Sequence, residues 1–473
     1  MPPAERLIVV GGDAAGMSAA SQAKRQRPNL EVIAFERGWH TSYSACGMPY
    51  LVGGVIEDPT SLIVRTPEQF ARQGITARVR EEVVALDLAA RRVTVRRLED
   101  GNEYQEGFDQ LVLATGARPL APELPGREAA GIYGLSILMD GIRLREAVDR
   151  EQPRHAVVVG GGYIGLEMVE NLLRRGIAVT LVEAADQVMS TLDPDMAALV
   201  ADELRREGVA LYLGEPVQAF ATRDGHVTGV VTSQRTLPAD LVVLGLGVRP
   251  NVELAHQAGI ALGVTGAIAV TDRLQTSAEG VWAAGDCVES RHLVSNQPVF
   301  IALGTVANKQ GRICGINIGG GYARFPGVVG TAITRVGALE IARTGLQERE
   351  CRALGIDYVV GTVRGTVRAG YYPDPGWLVI KVLAERGSGR LLGAQIVGTE
   401  QAAKRIDVFA VALHAGMTTD EFQYLDLSYA PPFGPTWDTP LIAARKAVEQ
   451  AQVGAYAAAP WPTTPFPRRN SHR

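Results

Sequence analysis

One cysteine sits among residues that do not build a core. Cys46 lies in the stretch Ser42-Tyr-Ser-Ala-Cys46-Gly-Met-Pro-Tyr50, where glycine, proline and two serines make poor core company. Ser42 or Ser44 is placed to cap a short helix with Cys46 in its first turn, where backbone N–H groups and the helix dipole favour a thiolate. Such positions bring a cysteine pKa from ~8.5 into roughly 3.5–7.5, so Cys46 is expected to be a thiolate at neutral pH. The plain alternative, a small buried residue, is the commoner fate of cysteine; it is the preferred reading for Cys287, Cys314 and Cys351. The four cysteines are widely spaced, with no Cys-x-x-Cys and no histidine at metal-ligand spacing. Neither a disulfide framework nor a metal site is expected.

Two glycine turns carry the other chemistry. Gly160-Gly161-Gly162-Tyr163-Ile164-Gly165 follows a strand-like run and opens a helical one. Gly160 permits the tight turn, Gly162 lets backbone approach a pyrophosphate, Gly165 lets helix pack on strand, and the helix N-terminus supplies donors. Glu183, at the end of the next strand, suits a ribose 2′-hydroxyl and would repel a 2′-phosphate, which favours NADH over NADPH. Earlier, Gly11 and Gly16 hold the first and third positions of a similar turn, but Asp13 stands at the second, where its plain reading is a solvent-facing turn residue. That turn is supported by the strand-end acid Glu36 and by the distant Gly285-Asp286 pair. Glu36 would hold an adenosine ribose and Asp286 the ribitol or pyrophosphate end of an extended FAD.

These residues need elements to position them. Leu7–Val10, a helix to Arg27 and Val32–Phe35 read as strand, helix, strand; Ala156–Val159, a helix to Arg175 and Ala178–Val182 repeat the pattern. Leu111–Pro119 and Leu241–Pro250 look like closing strands with matching turns. The second unit is therefore expected to be inserted in the first, which closes near Val281–Asp286. From Phe325 the pattern changes to alternating strands at Thr331–Arg335, Tyr358–Val367, Leu378–Val382 and Leu391–Val397, then a helix at Ala402–His414. The expected fold is α/β with two Rossmann-like dinucleotide-binding domains, the second inserted in the first, and a C-terminal α+β domain. The boundaries are residues 1–118 with 250–324 for the FAD domain, 119–249 for the NAD(P)H domain, 325–455 for the C-terminal domain, and 456–473 for a disordered tail. A net charge of −4 gives no field to gather nucleic acid or an anionic membrane. Apolar runs are strand-length, short of the ~20 residues of a membrane helix, and the first strand begins too early for a signal peptide. A cytoplasmic location is the expectation.

The chain resembles the pyridine nucleotide-disulfide oxidoreductases, and within them the single-cysteine branch of coenzyme A-disulfide reductases and NADH oxidases. The resemblance runs to about Val453 through the glycine turns, Ala114-Thr115-Gly116-Ala117, Ala283-Ala-Gly285-Asp286, Asn308-Lys-Gln310, Gly370-Tyr371-Tyr372-Pro373 and Leu427-Ser-Tyr429-Ala-Pro-Pro-Phe433. It implies FAD and NADH as cofactors and a C-terminal domain that forms a homodimer with shared active sites. By that resemblance Tyr429, with Tyr371 or Tyr372, would reach the partner's cysteine and donate to a leaving thiolate or bound sulfur; packing at the interface is the plain alternative. The helix opening near Leu303, with Ala302 at its entry, would aim its N-terminus at the flavin. Glu167 would lie near the nicotinamide, or else be a surface helix carboxylate. Gln22, Arg25 and Ser42 match positions associated with coenzyme A.

Two absences narrow the resemblance. Paired-cysteine members carry a second thiol five residues on, whereas Met48, Tyr50 and Leu51 follow Cys46 here. Their His-Pro-Thr acid–base motif is matched by His414-Ala-Gly416-Met417-Thr418, which leaves His414 a structural residue. Ala45 stands where many coenzyme A-disulfide reductases have asparagine. The implied reaction is NADH-driven reduction of a small disulfide, persulfide or polysulfide through a mixed disulfide at Cys46. The rivals are an NADH oxidase or peroxidase using a Cys46 sulfenic acid or direct flavin–oxygen chemistry, and a redox-sensing flavoprotein; Pro49-Tyr50 leans toward the disulfide reductases.

Overall fold

The computed structural model describes residues 5–451; the expected tail at 456–473 lies outside them. Short runs of Val, Ile and Leu form the first sheet, five parallel strands in the order Val281–Ala283, Gln110–Leu113, Arg6–Val10, Glu31–Glu36, Ile75–Val79. Leu7, Ile8 and Val9 are fully buried, as expected for a central parallel strand with both faces covered. The helix Ala14–Gln26 follows the first strand, and an antiparallel three-stranded sheet of Glu81–Asp87, Arg92–Arg97 and Glu103–Gly107 stands in the crossover.

The same plan recurs. Ala210–Tyr212, Ala178–Val182, His155–Val159, Leu241–Leu244 and Ile132–Gly134 form a second parallel five-stranded sheet in that order, again with an antiparallel three-stranded companion. The two passages between the units pair with each other, Ala117–Pro119 antiparallel to Val248–Pro250. The inserted unit therefore hangs from two adjacent strands.

The C-terminal sheet is antiparallel, in the order Ala332–Val336, Leu339–Gly345, Leu391–Gly398, Leu378–Glu385, Tyr358–Gly365. Its central strands are buried on both faces. Helices Ile406–Ala415 and Thr439–Ala451 cover the sheet, and a short turn, Ala403–Arg405, precedes the first of them. That helix ends where Gly416 turns left-handed at φ 68°. The inserted unit leans on the same sheet through a buried charge cluster. Lys381 Nζ lies 3.2 Å from Asp193 and 2.7 Å from Asp195 and also meets Glu348, while Gln395 and Asp193 exchange two 2.8 Å hydrogen bonds. Asp193, Asp195 and Glu348 are the one gathering of potential metal ligands found among the described residues, and the Lys381 ammonium lies against all three.

Candidate active site

The two glycine turns adopt one geometry. Gly160 has φ 105° and Gly11 φ 112°, a region that L side chains rarely enter. A Cβ on Gly165 would run into the carbonyl of Gly160, and one on Gly16 into that of Gly11, so helix and strand approach as closely as glycine allows. A Cβ on Gly162 would meet nothing within 4 Å; that open space lies at the N-cap of the helix Tyr163–Arg174. Glu183 accepts from the N–H groups of Gly161 at 2.7 Å and Ala185 at 2.8 Å. Glu36 likewise accepts from Gly12 at 2.8 Å and Gly38 at 2.6 Å. Backbone amides orient each carboxylate at the end of its second strand and leave lone pairs open to further donors.

Asp13 departs from the solvent-facing expectation. It occupies the N-cap of Ala14–Gln26, is half-buried, and accepts the N–H of Tyr43 at 3.1 Å. Burial outweighs that bond and, with Glu36 nearby, raises its pKa to about 6.

A cavity of about 820 Å³ runs from Glu36 past Gly11 and Asp13 to Thr115, Asp286 and Ala45, within the roughly 300–1,000 Å³ of ligand pockets. Its middle wall is the Ala114-Thr115-Gly116 turn, which Asn251 braces by donating to the Thr115 carbonyl at 2.8 Å and accepting from Thr115 Oγ1 through its own carbonyl at 2.7 Å. Asp286 Oδ1 is buried without a hydrogen-bond partner, and burial lifts the carboxyl pKa to about 6. A buried acceptor of this kind costs roughly 1–3 kcal/mol unless a donor meets it, and the cavity has room for a ligand that brings one. Gly285 donates its N–H to Gln310 Oε1 at 2.8 Å, and Gln310 donates on to Ser290. Gln310 is fully buried and fixes this end of the cavity. Its place in Asn308-Lys-Gln310 was visible in the sequence, but its task was not. Ala302 precedes the helix Gly304–Ile318, whose first two N–H groups, those of Gly304 and Thr305, lack intrahelical partners.

Cys46 is exposed, whereas Cys287, Cys314 and Cys351 are fully buried. It lies in a single 3₁₀ turn, Ala45–Gly47, leading directly into the helix Met48–Val52. The expected thiolate is not what the surroundings favour. Neither serine caps the turn: Ser44 makes no side-chain cap bond, and Ser42 is left-handed at φ 48° with its N–H on the Gly12 carbonyl. One short turn carries little dipole. Enclosing protein raises the Cys46 pKa, and the carboxylates of Glu167, Asp286 and Asp13 raise it further.

Glu167 projects from the first turns of the helix Tyr163–Arg174 and accepts a 3.4 Å bond from Thr334 of the C-terminal sheet. Burial, with Glu170 nearby, lifts its pKa to about 7. Thr334 carried no signal in the sequence, because only folding brings that strand to this helix.

The tyrosines assemble apart from this cavity. Tyr371 and Tyr429 hydroxyls lie 3.3 Å apart on the surface, and the Ala369–Pro431 backbone bond ties their loops together. Tyr372 is half-buried beside them. None of the three hydrogen-bonds Cys46 within the chain, and exposed Phe433 and Trp437 follow Tyr429 along the same segment. Arg25 donates to Gln22 at 2.9 Å; Gln22 is buried and Arg25 exposed. His414 is exposed at the end of its helix rather than packed as a structural residue would be.

Similarity to known proteins follows the same division. Residues 5–311 match the pyridine nucleotide-disulphide oxidoreductase family model, and residues 331–440 match that family's dimerisation domain. The NAD(P)H coenzyme A polysulfide/persulfide reductase of Pyrococcus horikoshii is 37% identical over 443 residues, covering 93% of this chain and 98% of that protein. An NADH oxidase of Methanocaldococcus jannaschii is 33% identical over 447 residues, covering 94% and 99%. The solved NAD-dependent persulfide reductase from A. fulgidus superposes with a TM-score of 0.91 at 38% identity, covering 94% of this chain and 83% of that one. No described helix is long and apolar enough to cross a membrane.

Proposed function

The chain belongs to the pyridine nucleotide-disulphide oxidoreductase family, and from that premise we propose that it is an FAD-dependent NADH oxidoreductase that reduces small disulfides, persulfides or polysulfides at Cys46. Coenzyme A disulfide is the model substrate. One observation carries the reading: Cys46 is the only exposed cysteine among the described residues, and the cavity bearing the Glu36 and Asp286 carboxylates ends at its neighbour Ala45. With no second thiol in reach, the sulfur that completes the redox pair must come from the substrate.

The cofactor pair supplies two electrons, passed as hydride from a nicotinamide to a flavin and on to sulfur. The chain's own residues do the rest. Glu36 and Asp286 would hold the two ends of FAD, and Glu183 with the Gly160–Gly165 turn would hold NADH. Cys46, as thiolate, attacks the substrate S–S bond; one thiolate leaves and a mixed disulfide remains. The two electrons then cleave that bond, returning Cys46 as thiolate and freeing the second substrate sulfur as a thiolate that takes its proton from solvent. Because burial and, after it, the neighbouring carboxylates disfavour the Cys46 thiolate, the thiolate needs outside donors. The hydrogen-bonded Tyr371–Tyr429 pair of the partner subunit would serve in a homodimer with shared active sites, with Tyr372 supporting it. Gln22, Arg25 and Ser42 would contact the substrate's coenzyme A portion.

An NADH oxidase reading uses the same exposed thiol, as a sulfenic acid. Anaerobic reduction with NADH, followed by coenzyme A disulfide, polysulfide or oxygen as acceptor, separates the two. The sulfur acceptors should reoxidise the protein fastest, and Cys46→Ser should abolish that step while leaving NADH-driven flavin bleaching intact. Full disulfide reduction by Cys46→Ser would refute the mechanism.

A further inference from the structure

The short helix Met48–Val52, which follows the turn bearing Cys46, is gripped from the inserted unit. Two arginines of that unit reach its last carbonyls, groups a helix end leaves without intrahelical donors: Arg145 Nη1 donates to Leu51 at 2.6 Å, beside the Gly54 N–H at 3.1 Å, and Arg175 Nη1 donates to Val52 at 3.1 Å. Asp149 joins the two guanidinium groups, accepting from Arg145 Nε at 2.6 Å and pairing with Arg175. The same helix is seated side-on: a Cβ on Gly141 would crowd Met48, and one on Gly53 would strike Asn171. Five residues cannot hold a helix by themselves, since isolated helices below about 12–15 residues are marginal.

We propose that the Arg145–Asp149–Arg175 clamp fixes the position of Cys46, which makes these three positioning residues for the sulfur step. Two cations on the last carbonyls of the Met48–Val52 helix hold that helix and the turn before it, with the Cys46 sulfur, at one distance from the cavity. The clamp is not the sole hold on the inserted unit. Met48, Leu51 and Val52 pack into that unit's apolar core, and the buried Lys381 cluster and Arg335 on Glu170 at 3.0 Å tie it to the C-terminal sheet. Loss of the clamp therefore loosens the cysteine while the nicotinamide-binding unit keeps its seat.

The inference rests on Cys46 being the reacting thiol, so its test includes a readout independent of substrate. Purified flavin-loaded Arg145→Met, Arg175→Met and Arg145→Lys proteins would be compared with the parent in three measurements: anaerobic flavin reduction by NADH, turnover with coenzyme A disulfide, and the pH profile of Cys46 alkylation by iodoacetamide. A misplacement near 1 Å can cost about a hundredfold in rate, so the methionine variants should lose at least about tenfold in disulfide kcat. Flavin content and NADH reduction should be unchanged and the alkylation profile displaced. Arg145→Lys, which keeps a donor for the Leu51 carbonyl, should recover most of the loss. If the parent reduces no disulfide but the methionine variants still show a displaced alkylation profile, the clamp stands and the proposed reaction falls. Unchanged alkylation and turnover, or a parallel fall in the NADH step, overturns the clamp.

Discussion

Placing one methyl group on Gly162 isolates ligand binding from folding. Gly162 has φ −85° and ψ −168°, which alanine adopts without strain, and the added carbon would touch no protein atom within 4 Å. Folding stability should be unchanged or rise by about 0.4–1 kcal/mol, because alanine restricts the unfolded chain. Anything the methyl group meets must come from outside the protein. If a pyrophosphate lies against this turn, the methyl displaces it from the helix N–H groups, and losing one charge-assisted hydrogen bond costs roughly 1.5–3 kcal/mol. That is about a 10- to 150-fold weaker hold on NADH. Gly165→Ala is the control with the opposite profile: its Cβ would stand 3.0 Å from the Gly160 carbonyl carbon and closer still to the oxygen. Overpacking of that kind typically costs about 1–3 kcal/mol, so this variant should lose stability and binding together. The assay is stopped-flow flavin reduction at varied NADH alongside a calorimetric melt. Parent-like NADH dependence in Gly162→Ala would refute the placement of the pyrophosphate, and a melt depressed as far as that of Gly165→Ala would refute the open space.

Two further outcomes follow. Glu183→Ala removes the carboxylate held by Gly161 and Ala185; the ratio of kcat/KM for NADPH to that for NADH should rise at least about tenfold, since unit charges ~4 Å apart interact by ~4 kcal/mol at an effective dielectric constant near 20. The carboxyl of Asp286 has a pKa raised to about 6 by burial, against ~3.9 when unfolded. The folded flavin-free protein binds the extra proton, so its stability should fall as pH rises through the window from ~3.9 to about 6 and stay lower above it. Thermal melts of Asp286→Asn across that window should show a flatter pH dependence than the parent.

Much of the architecture could be read from local pattern. The two strand, glycine turn and helix units, and the strand-end acids Glu36 and Glu183, each lie within about thirty residues of chain. Their geometry follows from where glycine alone fits and where a strand must end. The paired passages at Ala117–Pro119 and Val248–Pro250 fall beside the turns that marked the insertion in the sequence. The helix after Ala402 was legible because its apolar period and Gly416 are both local.

What the sequence by itself determined is therefore the kind of protein: two dinucleotide folds, a third domain and one cysteine out of core company, because periodicity, turn chemistry and residue type are properties of short segments. Tertiary structure alone decided how that cysteine is held and charged. Its pKa depends on Glu167, Asp286 and Asp13, far apart in the chain, and the local helix-cap argument gave the wrong sign because desolvation and through-space charge outweigh one short turn. The unpartnered Asp286, the Tyr371–Tyr429 contact and the arginine clamp on Leu51 and Val52 likewise exist only where distant segments pack, since electrostatics and hydrogen bonds act through space and not along the chain.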